Sequence, residues 1–203
     1  MDKNYWNNYY LQNLKKFPPS SFSKFVLDYL TPNMKLLDIG CGNGRDSIFF
    51  SENKIETIGI DFSETIIDFL TRTNKNKNLS FNQINLSKIS YELKDIKVDA
   101  AYCRFILHAI DKTTEDRLIE WIENNTNSFL FIETRIFDPK QNEIEKNHYR
   151  RDILEENLVK KISKTSFEID YIESSYEFSK YKSMYNVKDL TDDPLLCRIV
   201  AKK

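Results

Sequence analysis

Glycine is nearly absent from this chain. Only four occur in 203 residues, and three of them, Gly40, Gly42 and Gly44, stand within one stretch, with the fourth, Gly59, close behind. Histidine is rarer still, with two residues. The three cysteines, Cys41, Cys103 and Cys197, are an odd set without metal-ligand spacing. That argues against a complete disulfide framework, and Cys103 and Cys197, in apolar runs, read as small core residues. No apolar run of about 18 residues is present to cross a bilayer, and the opening Met-Asp-Lys-Asn-Tyr-Trp lacks the apolar core of a signal peptide. Neither sign of charge dominates: 30 Lys and Arg stand against 31 Asp and Glu, a net charge of −1. The basic face that nucleic acid requires is therefore not expected. The expectation is a reduced, cytoplasmic protein with a small-molecule ligand and neither membrane nor nucleic acid as partner, its oligomeric state left open. With 40% hydrophobic residues the chain can bury one core, and residues 1–203 read as a single domain.

What is there centres on residues 36–47, Leu-Leu-Asp-Ile-Gly-Cys-Gly-Asn-Gly-Arg-Asp-Ser. An apolar strand over 34–39 runs into the alternating glycines, and a helix-like stretch over 45–53 leaves them. Such a turn lets a ligand touch bare backbone, because no Cβ blocks its approach and positive φ costs little. The common dinucleotide fingerprint is Gly-x-Gly-x-x-Gly, which cradles a pyrophosphate. Here the third glycine comes one residue early, and Asp38 stands two residues before the first. A carboxylate there repels a pyrophosphate and suits an ammonium group. About twenty residues on, a second strand ends at Asp61, placed to accept both hydroxyls of a ribose. Sulfonium, amino acid and ribose together describe S-adenosylmethionine.

On these residues the chain resembles the class I S-adenosylmethionine-dependent methyltransferases, over about residues 34–101 and again at the last strand. The resemblance implies that Asp38 to Gly44 is the first motif, that Asp61 binds the ribose, and that Asn85, more often an aspartate in that family, lies against the adenine. The cofactor contacts it implies are Asp38, Gly40, Cys41, Gly42, Gly44, Arg45, Asp46, Asp61, Phe62, Ser63, Asn85, Leu86, Cys103 and Arg104, with Arg45 facing either the cofactor's carboxylate or solvent.

Along the chain, Ser20 or Ser21 caps a helix whose Phe22, Phe25, Val26, Tyr29 and Leu30 share a face. Ser63 caps a second, with Ile66, Ile67 and Leu70. Further strands are expected over 79–84, 98–103, 129–132, 167–172 and 195–201. A capping box at Thr113 to Asp116 opens one helix, and another spans 149–162. Strand and helix alternate until two strands come in succession. This pattern gives an α/β fold, a doubly wound, seven-stranded, mostly parallel sheet with an antiparallel last strand, the Rossmann-like methyltransferase fold that the resemblance also implies. The aromatics of residues 1–19, namely Tyr5, Trp6, Tyr9, Tyr10 and Phe17, read either as a lid over the cofactor or as packing against the domain. Residues 134–148 and 174–193 serve no strand and read as walls of an acceptor pocket.

Arginine and histidine gather at the carboxyl ends of strands four and five and before the last helix: Arg104, His108, Arg135, His148, Tyr149 and Arg151. Arginine grips phosphate or carboxylate with paired bonds, so these six are the expected catalytic and acceptor-binding residues for an anion, whose oxygen needs little or no base. The alternatives are surface pairing of Arg150 and Arg151 with Glu155 or Glu156, and a satisfied helix histidine at His108. Asn-Pro-Pro-Tyr-type residues of base and amide methylation are missing after strand four. Glu133 alone cannot hold a divalent ion well, and no metal is expected. Residues 102–110, 133–135 and 148–151 also resemble short bacterial methyltransferases of surface-polysaccharide or small-molecule modification. That resemblance implies a small or sugar-nucleotide-linked acceptor in O-methylation, including capsule polysaccharide precursors and phosphoramidates. Two further readings stay open. One is transfer to nitrogen, sulfur or a metalloid, since the Gly-Asn-Gly-Arg turn is similar to that of tellurite-resistance methyltransferases. The other is a non-catalytic cofactor-binding protein.

Overall fold

A computed structural model describes residues 3–12, 14, 17–139, 149–178 and 194–203. Its centre is one seven-stranded sheet. Four strands, β1 (Lys35–Ile39), β2 (Glu56–Asp61), β3 (Leu79–Gln83) and β4 (Val98–Arg104), precede β5 (Thr126–Arg135), β6 (Glu168–Ser175) and β7 (Leu196–Lys202). The order is β3-β2-β1-β4-β5-β7-β6, parallel from β3 to β5. The last strand, β7, runs antiparallel to both β5 and β6 and lies between them, which leaves β6 at the edge.

Central strands buried on both faces read as continuous apolar runs because successive side chains alternate sides. Leu37 of β1 and Ala101 and Cys103 of β4 face one core, whereas Leu36, Ala100 and Tyr102 face the other. The first core is closed by Leu118, Trp121 and Ile122 of the helix Lys112–Asn125 and by Leu158 and Ile162 of the helix Glu155–Ile162. The second is closed by Phe22 and Val26 of the helix Ser21–Leu27 and Phe50 of the helix Arg45–Glu52. Numbered in chain order, the helices are α1 (Lys3–Gln12), α2 (Ser21–Leu27), α3 (Arg45–Glu52), α4 (Glu64–Thr73), α5 (Ile89–Glu92), α6 (Lys112–Asn125) and α7 (Glu155–Ile162). Among the described helices none is long and apolar enough to cross a membrane.

Several boundaries differ from the sequence expectation. The last helix starts at Glu155, not Tyr149, because the preceding residues bond to neighbours instead of to themselves: Arg151 N–H donates to the His108 carbonyl (2.8 Å), and Phe137 N–H to that of Ile153 (2.7 Å). α6 is capped by Asp111, whose side chain accepts from Thr114 N–H at 2.9 Å, so the capping residue lies two places earlier than the expected box. β5 runs ten residues because it is paired on both sides. The aromatic amino-terminal stretch forms a helix, α1. Of the two expected pocket walls, residues 140–148 and 179–193 lie outside the described residues.

Candidate functional site

The parallel register brings Asp38 of β1 opposite Gly59 of β2 and Tyr102 of β4, so the carboxyl ends of three strands converge on the glycine turn. Gly40, Gly42 and Gly44 take φ of 74°, 54° and 73°, the left-handed region where a Cβ costs energy. A Cβ on Gly42 would lie 2.9 Å from the Tyr10 hydroxyl, and one on Gly40 would lie 2.9 Å from Ile106 Cδ1. The turn therefore presents backbone without a Cβ, held in place by its own amides: Gly40 N–H (2.8 Å) and Cys41 N–H (2.9 Å) donate to the Ile60 carbonyl, and Gly44 N–H to that of Cys41 (3.0 Å). Gly44 ends it as the N-cap of α3.

Two acids frame this backbone. Asp61 accepts from Gly42 N–H at 3.1 Å and from Ser63 N–H at 2.9 Å, lacing the turn to the start of α4. Burial raises its pKa above the ordinary value, against those hydrogen bonds. Asp38 is buried and accepts from Ser47 Oγ at 2.5 Å. Burial first, and the Asp46 charge second, push Asp38 up to about 7, against the Ser47 bond and Arg104.

Asp46, expected to contact cofactor, serves the fold as well. It accepts from Ser20 N–H (2.7 Å), Ser20 Oγ (2.9 Å), Ser23 Oγ (2.9 Å) and Tyr102 Oη (3.0 Å). Burial works to raise its pKa, but Arg104, Arg45 and the Ser20 bonds bring it below the ordinary value. The carboxylate thus clips the start of α2 to the first turn of α3.

A cavity of about 260 Å³ opens above the turn. Asp38, Gly40, Cys41, Gly42 and Asp61 form its floor, Trp6, Tyr9, Tyr10 and Phe17 one wall, and Arg45, Asp46, Arg104, Phe105 and Ile106 the other. A second cavity of about 220 Å³ is lined by Phe62, Asn85, Leu86, Ser87 and Ile110. The Asn85 side-chain oxygen is taken by Ser87 N–H (3.0 Å) and Ser87 Oγ (2.9 Å), and its backbone N–H donates to Glu92 (2.9 Å). Ser63, also an expected contact, is buried and points its hydroxyl at Asn7 Oδ1, 2.6 Å away. Cys103 is fully buried in the core and lines neither cavity.

The expected acceptor residues do not converge. Arg104 lines the main cavity: its Nε donates to Glu133 Oε1 at 2.8 Å, it sits 3.9 Å from Asp46, and its guanidinium lies over the Phe105 ring at 4.4 Å. Glu133 Oε2 also accepts from Arg198 Nε at 2.7 Å. His108 is buried with Nδ1 3.2 Å from Thr134 Oγ1, and neither it nor Arg135 is among the residues that line the cavity. Tyr149 is exposed and is not among the residues that line the cavity. Arg151 pairs with the buried Glu115 and donates to the carbonyls of Ile110 (3.2 Å) and Leu107 (3.1 Å), a pinning role for the turn after β4. Burial lowers its pKa. Its partner is Glu115, not Glu155 or Glu156. His148 lies outside the described residues. Sequence reading passed over Phe105, Ile106 and Asn43 as lining residues. The one backbone oddity there, φ of 57° at Phe105, has no glycine to announce it. Among the described residues no group of His, Cys, Asp and Glu is arranged to hold a metal ion.

The sheet order with its antiparallel β7 is that of the Rossmann-like methyltransferase fold. Residues 36–126 match a family model described as a methyltransferase domain. No curated protein matches the chain in sequence. Among solved structures, magnesium protoporphyrin IX methyltransferase from Synechocystis PCC 6803, crystallised with S-adenosylhomocysteine, is 14% identical with a TM-score of 0.70, the alignment covering 99% of this chain and 97% of that one. Geranyl diphosphate C-methyltransferase from Streptomyces coelicolor A3(2), crystallised with Mg2+, geranyl diphosphate and S-adenosylhomocysteine, is 13% identical with a TM-score of 0.70, over 89% and 78% of the two chains. The cyclase SpnF is 17% identical with a TM-score of 0.66, over 89% and 79%. Identities this low establish the fold. Only the domain match over residues 36–126 points beyond the fold, to a methyltransferase, and it leaves the acceptor open.

Proposed function

We propose that the protein is an S-adenosylmethionine-dependent methyltransferase that O-methylates a small anionic acceptor. The observation that carries the cofactor is the joint geometry of Asp38, the Cβ-free backbone of Gly40 and Gly42, and Asp61, all of which line one cavity. Burial and Asp46 hold Asp38 back from ionisation, a state that a ligand ammonium reverses. Asp61 spends part of its capacity on Gly42 and Ser63, which aims the remaining lone pairs at adjacent ribose hydroxyls. Phe62, Asn85 and Leu86 line the neighbouring cavity, the place this reading gives to the adenine. When bound, S-adenosylmethionine supplies the electrophilic methyl of a sulfonium.

The protein's part is then alignment and exclusion of water. Arg45 and Arg104 are the cations on the cavity wall, and the guanidinium of Arg104 is fixed by Glu133 and Phe105. Every carboxylate among the described lining residues is already engaged: Asp38 by Ser47, Asp61 by two amides, Asp46 by serines and Tyr102. An acceptor that arrives ionised needs no base from this set, which favours a phosphate, phosphoramidate or carboxylate oxygen over a neutral amine. The open cavity beside the motif favours turnover over cofactor storage. Sugar-nucleotide-linked acceptors of capsule or surface-polysaccharide modification head the screen, on the narrower sequence resemblance.

The test is release of S-adenosylhomocysteine from a panel of sugar nucleotides, phosphorylated metabolites and carboxylates, beside matched amines and thiols. Turnover confined to anionic acceptors and lost in Arg104→Ala, with cofactor affinity retained, supports the reading. Preferred methylation of neutral amines or thiols overturns its acceptor half.

A further inference from the structure

The amino-terminal helix α1 carries three of the cavity's aromatic residues, Trp6, Tyr9 and Tyr10, yet it is a poor helix in isolation. Ten residues are too few for a stable free helix, and Asn4, Asn7, Asn8 and four aromatics are weak helix formers. Its order depends on what it docks against. That surface is the start of α4. Ser63 Oγ donates to Asn7 Oδ1 at 2.6 Å, Lys3 Nζ lies 3.7 Å from Glu64 and 5.8 Å from the centre of the Phe62 ring, and Tyr10 packs with Ile66, Ile67 and Leu70.

Every one of these polar anchors falls within three residues of Asp61. Ser63 faces both ways: its backbone N–H donates to Asp61 Oδ1 at 2.9 Å, and its hydroxyl holds α1. The Tyr10 hydroxyl stands 2.9 Å from where a Cβ of Gly42 would be, and Gly42 N–H donates to the other oxygen of Asp61. The acid proposed to grip the ribose is thus hydrogen-bonded to Ser63 and to Gly42, the two residues that meet Asn7 and Tyr10 of the helix that walls the cavity.

We infer that Ser63 and Asn7 couple the docking of α1 to occupancy of Asp61, so that cofactor binding orders the aromatic wall and completes the acceptor pocket in that sequence. The inference rests on the proposed cofactor. Coupling is reciprocal: whatever α1 docking contributes to cofactor affinity, cofactor binding returns to the order of α1. Asn7 and Ser63 are positioning residues in this scheme, and the rings of Trp6 and Tyr10 are the surfaces that the ligand meets. An acceptor that enters first meets an incomplete wall, so the cofactor leads.

The experiment is amide hydrogen exchange on the full chain with and without S-adenosylhomocysteine, paired with calorimetric titration of the same ligand into wild type and Asn7→Leu. The expected result is slower exchange over residues 3–12 as well as at the glycine turn on ligand binding. Asn7→Leu should bind roughly three- to tenfold more weakly, the loss of one half-buried hydrogen bond, and should lose the slowing in α1 while keeping it at Gly42. Ligand that protects the glycine turn of the wild type and leaves α1 unchanged overturns the coupling, as does Asn7→Leu binding at wild-type affinity. No heat with the wild type overturns the cofactor reading, and the coupling falls with it.

Discussion

Asp38 is where sequence and chemistry meet most closely at the scale of a single side chain. A carboxylate two residues before the first glycine is wrong for a pyrophosphate, and the structure buries it against Ser47 with its pKa near 7. An acid whose folded pKa lies above its unfolded value stabilises the fold fully only below that unfolded value, and the contribution is lost as pH rises through the folded pKa. Relative to wild type, ligand-free Asp38→Asn should therefore gain thermal stability between pH 5 and pH 8. The opposite sign applies to binding an ammonium, which needs the ionised acid: wild-type affinity for S-adenosylhomocysteine should rise from pH 6 to pH 8, and Asp38→Asn should bind weakly with a flat profile by calorimetry. Gly59 is the glycine whose role is purely steric. A Cβ there would lie 2.7 Å from Phe81 ring carbons and 2.9 Å from Ser47 Oγ, so Gly59→Ala should cost about 1–3 kcal/mol by urea unfolding with an unchanged m-value.

At the scale of elements, strands were easier to anticipate than the residues joined across them. Short, nearly continuous apolar runs over 34–39 and 98–103 locate β1 and β4 to within a residue, because strands buried on both faces need apolar side chains at successive positions. Helix starts depend on which partner takes the free amides. Residues 149–154 carry helix-compatible side chains, but His108 and Phe137 claim their backbone groups, so α7 begins late. The Arg and His cluster failed to converge for a related reason. Arg151 was legible as a cation near the sheet edge, whereas the acid that pairs with it, Glu115 of α6, is 36 positions away and nothing local announces the contact. Glu133 poses the same problem in reverse: read as an inadequate metal ligand, it is the buried carboxylate shared by Arg104 and Arg198. Removing one partner from such a cluster strands buried charge, so Glu133→Ala should destabilise by about 3–5 kcal/mol, measured as a lowered denaturation midpoint.

Across the whole molecule, the sheet order puts the glycine turn, Asp61 and the post-β4 segment at one edge, and α1 closes over them. The doubly wound order was legible because strand and helix alternate along the chain until the final pair. The antiparallel last strand was legible too, from two strands in succession and from the resemblance; its register against β5 and β6 is what the structure adds. The floor of the cavity was legible from residues 38–61 and its aromatic wall was one of two readings of residues 1–19, while the Phe105 wall arises from tertiary approach. Because the floor belongs to the folded chain alone, S-adenosylmethionine at about 100 times its Kd should stabilise the fold by about 2.7 kcal/mol and raise Tm by about 5–10 °C in a thermal scan. Calorimetric titration of S-adenosylmethionine into wild type and Asp61→Ala bears most directly on the central claim. Saturable binding to the wild type and none detectable in the variant is the predicted result. A silent wild type, or a variant that binds with unchanged affinity, would contradict it.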